Sequence, residues 1–252
     1  ATPFLPQAQM LDELPLDQIL EQTPWYLLLD DELQQLVQRS VSEKRVPIGG
    51  VIVRVGDPSV HWIGVVKGLV QMSVTGADGR ETTLGCVNES QWCGEGSLLK
   101  RERRRYDAIA LRPSRIALVP IDTFLVLRDV SLPFNHYLQD LMNTRMSSFI
   151  GTLEADRLLG PEQRVAKCVA TLCRHVQGNT DIALNITQQD LALICGLSRQ
   201  RTNACLQVLV QLGHIRLEHK SLQVTNLKGL NDYSNSRAGD GQTPMPHEDR
   251  LG

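Results

Sequence analysis

The sequence has no apolar run that approaches the ~20 residues required by a membrane-spanning helix. Its first residues, which include Pro3, Pro6, Asp12 and Glu13, also lack the basic and then apolar order of a secretory signal segment. Both absences predict a soluble protein that is located in the cytoplasm.

The six cysteines form no C-x-x-C pair, and none of them lies within residues 1–85. Reduced thiols are therefore expected. An iron–sulfur cluster is not expected, because it needs several grouped cysteine ligands. Two alternatives stay open: Cys86 and Cys93 could form a redox pair, and His61 or Cys86 could be an axial haem ligand.

Motifs of common enzyme classes are also missing. The sequence contains no phosphate-binding loop, no G-x-S-x-G and no H-E-x-x-H. Glu95 and Arg105 could be imagined as an acid and an anion clamp, but no nucleophile accompanies them. The sequence therefore predicts a protein that is not an enzyme.

The charges are unevenly distributed along the 252 residues, although the formal net charge at pH 7 is only −2. Residues 157–230 contain nine Lys or Arg against four Asp or Glu, whereas residues 1–156 contain fifteen against twenty. This distribution favours a nucleic-acid partner for the C-terminal part of the chain.

A capping box marks the start of a helix in this basic part. The side chains of Thr187 and Asp190 have the required spacing, so a helix is predicted to begin at Gln188. It should end near Cys195, because Gly196 provides the residue that a tight turn between two helices needs.

A second helix is predicted from Ser198, its N-cap, to about Leu212. Arg199, Gln200 and Arg201 are its first exposed positions, near the end that enters the major groove in helix-turn-helix proteins. Arginine can bind guanine, and glutamine can bind adenine, through two hydrogen bonds.

Alternating residues after Gly213 predict a two-stranded wing around the turn His219-Lys220-Ser221, with Lys220 near a phosphate. The predicted DNA contacts are therefore Thr187, Gln188, Ser198, Arg199, Gln200, Arg201, Lys220 and Ser221. The alternative is a helical hairpin and β-ribbon within an ordinary α/β core.

The part of the chain before these motifs changes from helical to alternating periodicity. A helix is predicted over Trp25–Val41, and short alternating strands follow between turn residues, which is typical of an antiparallel β-roll or jelly roll. The predicted strands are Val51–Val55, Trp62–Val66, Leu69–Val74, Thr82–Val87, Ile109–Leu111 and Ile116–Val119.

Helical periodicity returns from about Pro133, and its apolar stripe predicts a long dimerisation helix. The residues assigned to the dimer interface are Leu138, Leu141, Met142, Phe149 and Leu153. The fold class is α+β, with an arm (1–22), a β-roll (23–132), the long helix (133–158), a winged helix-turn-helix domain (159–230) and a flexible tail (231–252).

This order of elements resembles the Crp/Fnr family of bacterial transcription regulators over about residues 24–230. The residues that carry the resemblance, besides the helix-turn-helix, are Gly56-Asp57, Val66-Lys67-Gly68, Asp78-Gly79-Arg80 and Gly94-Glu95. The resemblance implies a homodimer that binds double-stranded DNA at a two-fold symmetric operator, with RNA polymerase as a possible further partner. The alternative is a signalling module whose helix-turn-helix contacts proteins.

The stretch from Gly94 to Arg105 is similar to the cassette that binds the cyclic phosphate in cAMP-responsive members of this family. The resemblance implies an effector site made of Gly94, Glu95, Gly96, Ser97, Arg105, Tyr106 and Phe149. A cyclic nucleotide is one candidate effector. cAMP itself is disfavoured, because Tyr106-Asp107 brings a carboxylate near the phosphate and Phe149-Ile150 replaces the Thr-Ser pair beside the adenine.

The resemblance also bears on DNA reading. Arg199 matches the family's guanine-reading arginine, whereas Gln200 replaces its usual glutamate and Ala204 replaces a second arginine. Gln188 and Lys220 match phosphate-contacting positions. A half-site different from the common TGTGA-like sequence is therefore expected.

Overall fold

The computed structural model describes residues 14–79, 81–173, 181–184, 186–218 and 221–236. The chain divides into two compact units, Ala1–Ser148 and Phe149–Gly252, and the boundary falls inside the longest helix. No helix in these described ranges is long and apolar enough to cross a membrane.

The first helices in the described part of the N-terminal unit are α1 (Leu16–Leu20), α2 (Pro24–Leu27) and α3 (Asp31–Ser40). The predicted helix over Trp25–Val41 is therefore interrupted. Asp30 is the reason, since its extended backbone and its side chain, which accepts a hydrogen bond from the backbone N–H of Leu33 at 2.9 Å, form a new N-cap.

Eight strands and one short helix follow in the N-terminal unit. Their bounds are β1 (Ser42–Val46), β2 (Val51–Val53), β3 (His61–Lys67), β4 (Leu69–Thr75), β5 (Glu81–Asn88), β6 (Gln91–Cys93), α4 (Glu95–Lys100), β7 (Asp107–Ala110) and β8 (Ser114–Pro120). They form two four-stranded antiparallel sheets with the orders β1-β8-β3-β6 and β2-β7-β4-β5. The predicted antiparallel roll is confirmed, and β1, β6 and α4 are additions to it.

The N-terminal unit has an aromatic core beside the apolar interior of the roll. Trp25, Trp62 and Trp92 pack with Phe124 and Phe134, with ring centroids 4.5 to 5.9 Å apart. Leu20 of α1 belongs to the same buried cluster. The prediction of a loosely packed arm over residues 1–22 is therefore wrong for α1, and residues 1–13 lie outside the described ranges.

Two helices complete this unit, α5 (Ile121–Val130) and α6 (Leu132–Leu158). The bounds of α6 agree with the predicted long helix, but its apolar stripe divides in two. Leu138 is buried in the aromatic core, and Leu141 packs against that core. Leu138 is thus a core residue rather than an interface residue, whereas Met142, Phe149 and Leu153 are exposed.

The C-terminal unit has the elements of a winged helix-turn-helix. After α6 come α7 (Pro161–Leu172), β9 (Ile182–Leu184), α8 (Gln188–Cys195), α9 (Arg199–Gln211), β10 (Ile215–Glu218), β11 (Ser221–Val224) and α10 (Leu227–Asn235). The wing is a three-stranded antiparallel sheet of order β10-β11-β9, so the predicted two-stranded ribbon lacked β9.

Helix α10 corrects the predicted domain end at residue 230. Leu230 and Ser234 are buried, and the side-chain amide of Gln163 in α7 donates to the backbone carbonyl of Ser236 at 2.7 Å. The domain therefore continues to Ser236, because α10 covers an apolar face of α7. Residues 237–252 of the predicted tail lie outside the described ranges.

Candidate functional site

The helix-turn-helix has the local geometry that its sequence predicts. The hydroxyl of Thr187 accepts a hydrogen bond from the backbone N–H of Asp190, and the Asp190 carboxylate accepts one from the backbone N–H of Thr187, both at 3.1 Å. Gly196 has a φ of 62°, and the Ser198 hydroxyl caps α9 by accepting from the backbone N–H of Arg201 at 3.2 Å. These bonds fix where both helices begin.

The first turn of α9 carries the predicted DNA contacts on its surface. Arg199, Gln200 and Arg201 are all exposed, while Thr202 on the opposite face is fully buried. The exposed face continues along α9 through Asn203, which lies three residues after Gln200 and so on the same side of the helix. Asn203 was not among the predicted contacts, although its helical spacing from Gln200 indicates it.

The remaining predicted contacts lie at the ends of α8 and in the wing. Thr187 and Ser198 are exposed, Gln188 is half-buried, and the Ser221 hydroxyl donates to Glu218 at 3.3 Å. Ser221 begins β11, so it is a strand residue rather than a turn residue. Lys220 lies outside the described residues.

In the N-terminal unit, a buried arginine defines the candidate effector site. The guanidinium of Arg104 donates from Nη1 to the carbonyl oxygen of Gly94 at 3.0 Å, and from Nη2 to the carbonyl oxygen of His61. Gly94 has a φ of 93°, and a Cβ there would lie 2.3 Å from Nη1 of Arg104. Glycine is therefore required at this position by both backbone conformation and space.

The arginine that enters the site is thus Arg104, and the assignment of Arg105 is corrected. The side chain of Arg105 is 75% exposed and pairs with Glu102 at 3.1 Å. The alternation of β7 gives the reason: Ala108 and Ala110 are buried, and in an extended chain Arg104 shares their face, whereas Arg105 lies on the other. This alternation was visible in the sequence.

A second arginine reaches the same site from α6. Nη1 of Arg145 lies 2.5 Å from Oε1 of the buried Glu95, and Nη2 donates to the carbonyl oxygen of Trp92. Sequence reasoning missed Arg145, although it lies seven residues after Leu138 and so continues the buried face of α6.

The resulting cluster of Glu95, Arg104 and Arg145 carries one negative and two positive charges. Within the described part of the chain, Oε2 of Glu95 and Nε of Arg104 have no hydrogen-bond partner, and both atoms are buried. A buried polar atom without a partner costs free energy. The cluster therefore offers one acceptor and one donor to a further group.

Aromatic and polar neighbours limit the space at this cluster. Burial raises the pKa of Tyr106 well above its usual value, and Cys93, Arg104 and Glu95 lie close enough to influence it. The Asp107 carboxylate instead accepts a hydrogen bond from the backbone N–H of Val55 at 2.7 Å. The expectation that Asp107 points to the bound phosphate is therefore corrected.

The other predicted effector residues differ in burial. Ser97 is buried next to Glu95 in α4, and Gly96 is exposed. Phe149 is 50% exposed and belongs to the C-terminal unit.

The haem and redox alternatives gain no geometric support. Burial raises the pKa of the Cys93 thiol to about 11. The pKa of His61 is lowered, mainly by burial and to a smaller extent by the positive charge of Arg104. In the ranges that the structure describes, no three His, Cys, Asp or Glu side chains are grouped as metal ligands.

An antiparallel roll with a buried cassette, followed by a long helix and a capped helix-turn-helix with a wing, defines the class of effector-controlled DNA-binding regulators. Two family models match the chain: "Cyclic nucleotide-binding domain" at residues 43–130 and "Crp-like helix-turn-helix domain" at residues 163–233. Together they match more than half of the sequence.

Known proteins agree with this class. The chain is 23% identical to the cAMP-activated global transcriptional regulator Vfr of Pseudomonas aeruginosa, over 72% of this chain and 88% of that protein. It is 29% identical to the cyclic AMP receptor protein of Thermus thermophilus, over 71% of this chain and 81% of that protein. The structure of the c-di-GMP responsive global regulator CLP of Xanthomonas campestris is similar with a TM-score of 0.63 at 19% identity, covering 78% of this chain and all of CLP.

The chain belongs to the Crp/Fnr family of transcription regulators. It is a DNA-binding regulator of transcription, and the predictions of the family, of the α+β fold and of a protein that is not an enzyme are confirmed. The alternative of a signalling module that uses its helix-turn-helix for protein contacts gains no support from the relatives.

Proposed function

We propose that this regulator is a homodimer that binds a two-fold symmetric operator and that a small anionic effector, bound at Glu95 and Arg104, sets its affinity for DNA. The observation that carries the effector proposal is the buried cluster with an unpartnered carboxylate oxygen and an unpartnered guanidinium N–H. RNA polymerase is the further partner that we propose at the promoter.

The chemistry of the cluster favours an effector with both an anionic group and a hydroxyl group. Nε of Arg104 suits a phosphate oxygen, since charge-assisted hydrogen bonds are the stronger ones. Oε2 of Glu95 can accept a hydrogen bond from a hydroxyl such as that of a ribose. A cyclic nucleotide has both groups, and the relatives named above include proteins that respond to cAMP and to c-di-GMP.

The cluster differs from a simple cAMP site in two respects that bear on the choice of nucleotide. The ring of Tyr106 packs against the apolar interior of the roll beside the cluster, where a small residue would leave more space. Phe149 and Ile150 on α6 provide no hydrogen-bonding side chain for a base. We therefore propose an effector that is recognised through its phosphate and hydroxyl groups rather than through its base.

Helix α6 provides the proposed dimer interface. Met142, Met146, Phe149, Ile150 and Leu153 are 39 to 62% exposed, and their spacing places them on one face of the helix. An exposed apolar stripe of this kind is typical of a helix that packs against a partner helix. Arg145, which binds Glu95, lies on the same helix, so effector binding and dimer geometry share one element.

Native mass spectrometry of the full chain tests the effector and the dimer together. A dimer that carries the mass of an added nucleotide is expected when cAMP, cGMP and c-di-GMP are offered in turn. Arg104→Met should abolish that added mass, whereas Arg105→Met, the control, should retain it. A bare dimer with all three nucleotides contradicts the proposed effector class, and a bare monomer contradicts the dimer.

DNA selection from a random duplex library tests the operator. The selected sites should be two-fold symmetric, with half-sites one helical turn apart. Arg199→Ala should lose about 1 to 3 kcal/mol of binding free energy and relax specificity at one base pair. Gln211→Ala, at the exposed far end of α9, is the matched control. Uniform weakening at every sequence would instead assign Arg199 to a phosphate.

A further inference from the structure

Two cysteines lie next to the turn of the helix-turn-helix, in α7 and at the end of α8. The side chains of Cys195, the last residue of α8, and Cys168, in the middle of α7, lie close enough for Cys168 to raise the pKa of Cys195. Neither cysteine is in a disulfide. Cys195 is buried, whereas Cys168 is half-buried and so open to a small reagent.

An independent contact confirms that this face of α7 lies against the end of α8. Nη2 of Arg164, one helical turn before Cys168, donates to the backbone carbonyl of Cys195 at 2.8 Å. The same guanidinium pairs at 2.6 Å with Asp156 near the end of α6. The guanidinium of Arg164 in α7 therefore contacts both the end of α6 and the last residue before the turn at Gly196.

We propose that Cys168 and Cys195 form an oxidisable dithiol site, which a peroxide converts to a disulfide that weakens DNA binding. Peroxide first oxidises the accessible Cys168 thiol to a sulfenic acid and releases one water. The sulfur of Cys195 then attacks the sulfenic sulfur, and the hydroxyl leaves with the Cys195 proton as a second water. The two thiols lose two electrons and two protons in total, and the peroxide is reduced to two waters.

The order of the two steps follows from the surroundings of each sulfur. The neighbouring Cys168 and burial raise the pKa of Cys195 well above its usual value, so Cys195 stays a neutral thiol and is shielded from the first attack. Cys205 and Cys173 are fully buried and are not expected to react first.

The disulfide would change the position of α9 by displacing the end of α8. A disulfide requires the two sulfurs to move to a covalent distance of about 2.0 Å. That movement pulls the last residue of α8 toward α7 and displaces the carbonyl that Arg164 holds. Gly196 and the cap of α9 follow immediately in the chain, so Arg199 and Gln200 change their position relative to α8.

The test uses the full-length protein, reduced and then treated with hydrogen peroxide. Intact mass spectrometry should show the loss of two hydrogens, and peptide mapping should identify the Cys168–Cys195 pair. The affinity for a duplex selected by the reduced protein should fall by roughly 5- to 150-fold, the usual range of coupling between two sites. Reduction with dithiothreitol should restore both the mass and the affinity.

Variants separate this site from the other cysteines. Cys168→Ser should keep its DNA affinity after peroxide, while Cys86→Ser, which removes a half-buried thiol of the other unit, should respond like the unaltered protein. Oxidation that stops at the sulfenic or sulfinic acid, a disulfide with another cysteine, or a Cys168–Cys195 disulfide with unchanged affinity each overturns the proposal. The mass arm does not depend on DNA binding, so its failure is distinct from failure of the proposed function.

Discussion

The two units treat charged side chains in opposite ways. Among the described residues, the buried charged side chains are Glu95, Arg104 and Arg115, and all three lie in the N-terminal unit. The buried polar residues of the C-terminal unit, Thr202 and Ser234, are neutral. Burying a charge costs several kcal/mol unless it is well paired. The buried charges of the N-terminal unit therefore need close partners, as in the pair of Glu95 with Arg145.

In the C-terminal unit, the arginines at the start of α9 lie on the surface, where a DNA duplex can reach them. Arg199 and Arg201 are exposed at the start of α9, between the N-cap Ser198 and the fully buried Thr202. DNA phosphates and base edges are reached only from the surface. The two units thus place arginine differently: Arg104 is buried in the N-terminal unit, whereas Arg199 and Arg201 are exposed in the C-terminal unit.

The largest effect is expected from breaking the buried ion pair of the N-terminal unit. Arg145→Met leaves the Glu95 carboxylate buried without its cation, which should lower the free energy of unfolding by about 3 to 5 kcal/mol. All three tryptophans lie in this unit, so denaturant unfolding followed by tryptophan fluorescence reports it selectively. Arg105→Met, which breaks only an exposed pair, should cost less than about 1 kcal/mol. Equal costs would contradict the contrast between buried and exposed charges.

A smaller effect is expected from adding one methyl group at the cassette. Gly94→Ala places a Cβ 2.3 Å from Nη1 of Arg104 at a φ of 93°, so both strain and overpacking should lower the stability by about 1 to 3 kcal/mol. Gly96→Ala is the matched control, because its Cβ meets no atom within 4 Å in the described structure. The same fluorescence measurement should show no loss for Gly96→Ala. A stable Gly94→Ala variant would mean that Arg104 moves freely.

In the C-terminal unit, whose buried polar residues are neutral, one substitution is expected to raise the stability rather than lower it. Thr202 is fully buried, and its hydroxyl has no hydrogen-bond partner among the described residues. Thr202→Val keeps the shape and removes the unpartnered hydroxyl, so the stability should rise by about 1 kcal/mol. The control is Thr171→Val, which should bring no gain in stability. The exposed hydroxyl of Thr171 donates to the backbone carbonyl of Lys167. Thermal unfolding followed by circular dichroism measures this, and a loss would show that the hydroxyl has a partner.

The smallest effect is expected at the cap of α8. Thr187→Ala removes the hydroxyl that accepts from the backbone N–H of Asp190, which should cost about 1 kcal/mol of stability. Gln189→Ala changes an exposed neighbour and should stay within about 0.5 kcal/mol of the unaltered protein. Circular dichroism again provides the measurement. A Thr187→Ala variant as stable as Gln189→Ala would show that packing alone fixes the start of α8.

The sequence by itself determined the elements whose signals are local. Capping residues, turn glycines and alternating strands depend on neighbours within a few positions, so Thr187, Gly196, Ser198 and most strands of the roll were predicted correctly. The family followed from their order. Predictions were wrong at Asp30, at β9 and at α10, where a short element is stabilised mainly by the surface on which it packs.

Only the tertiary structure decided which charged residues share a site. Arg145 is 50 residues from Glu95 in the chain, and the two meet because the buried face of α6 packs where Glu95 and Arg104 already lie. The division of the α6 stripe into a buried and an exposed part, and the contact of Cys168 with Cys195, were likewise set by packing between elements. The spacing of residues along the chain determines which side chains share one face of a helix or strand. The element that packs against that face determines which groups those side chains contact.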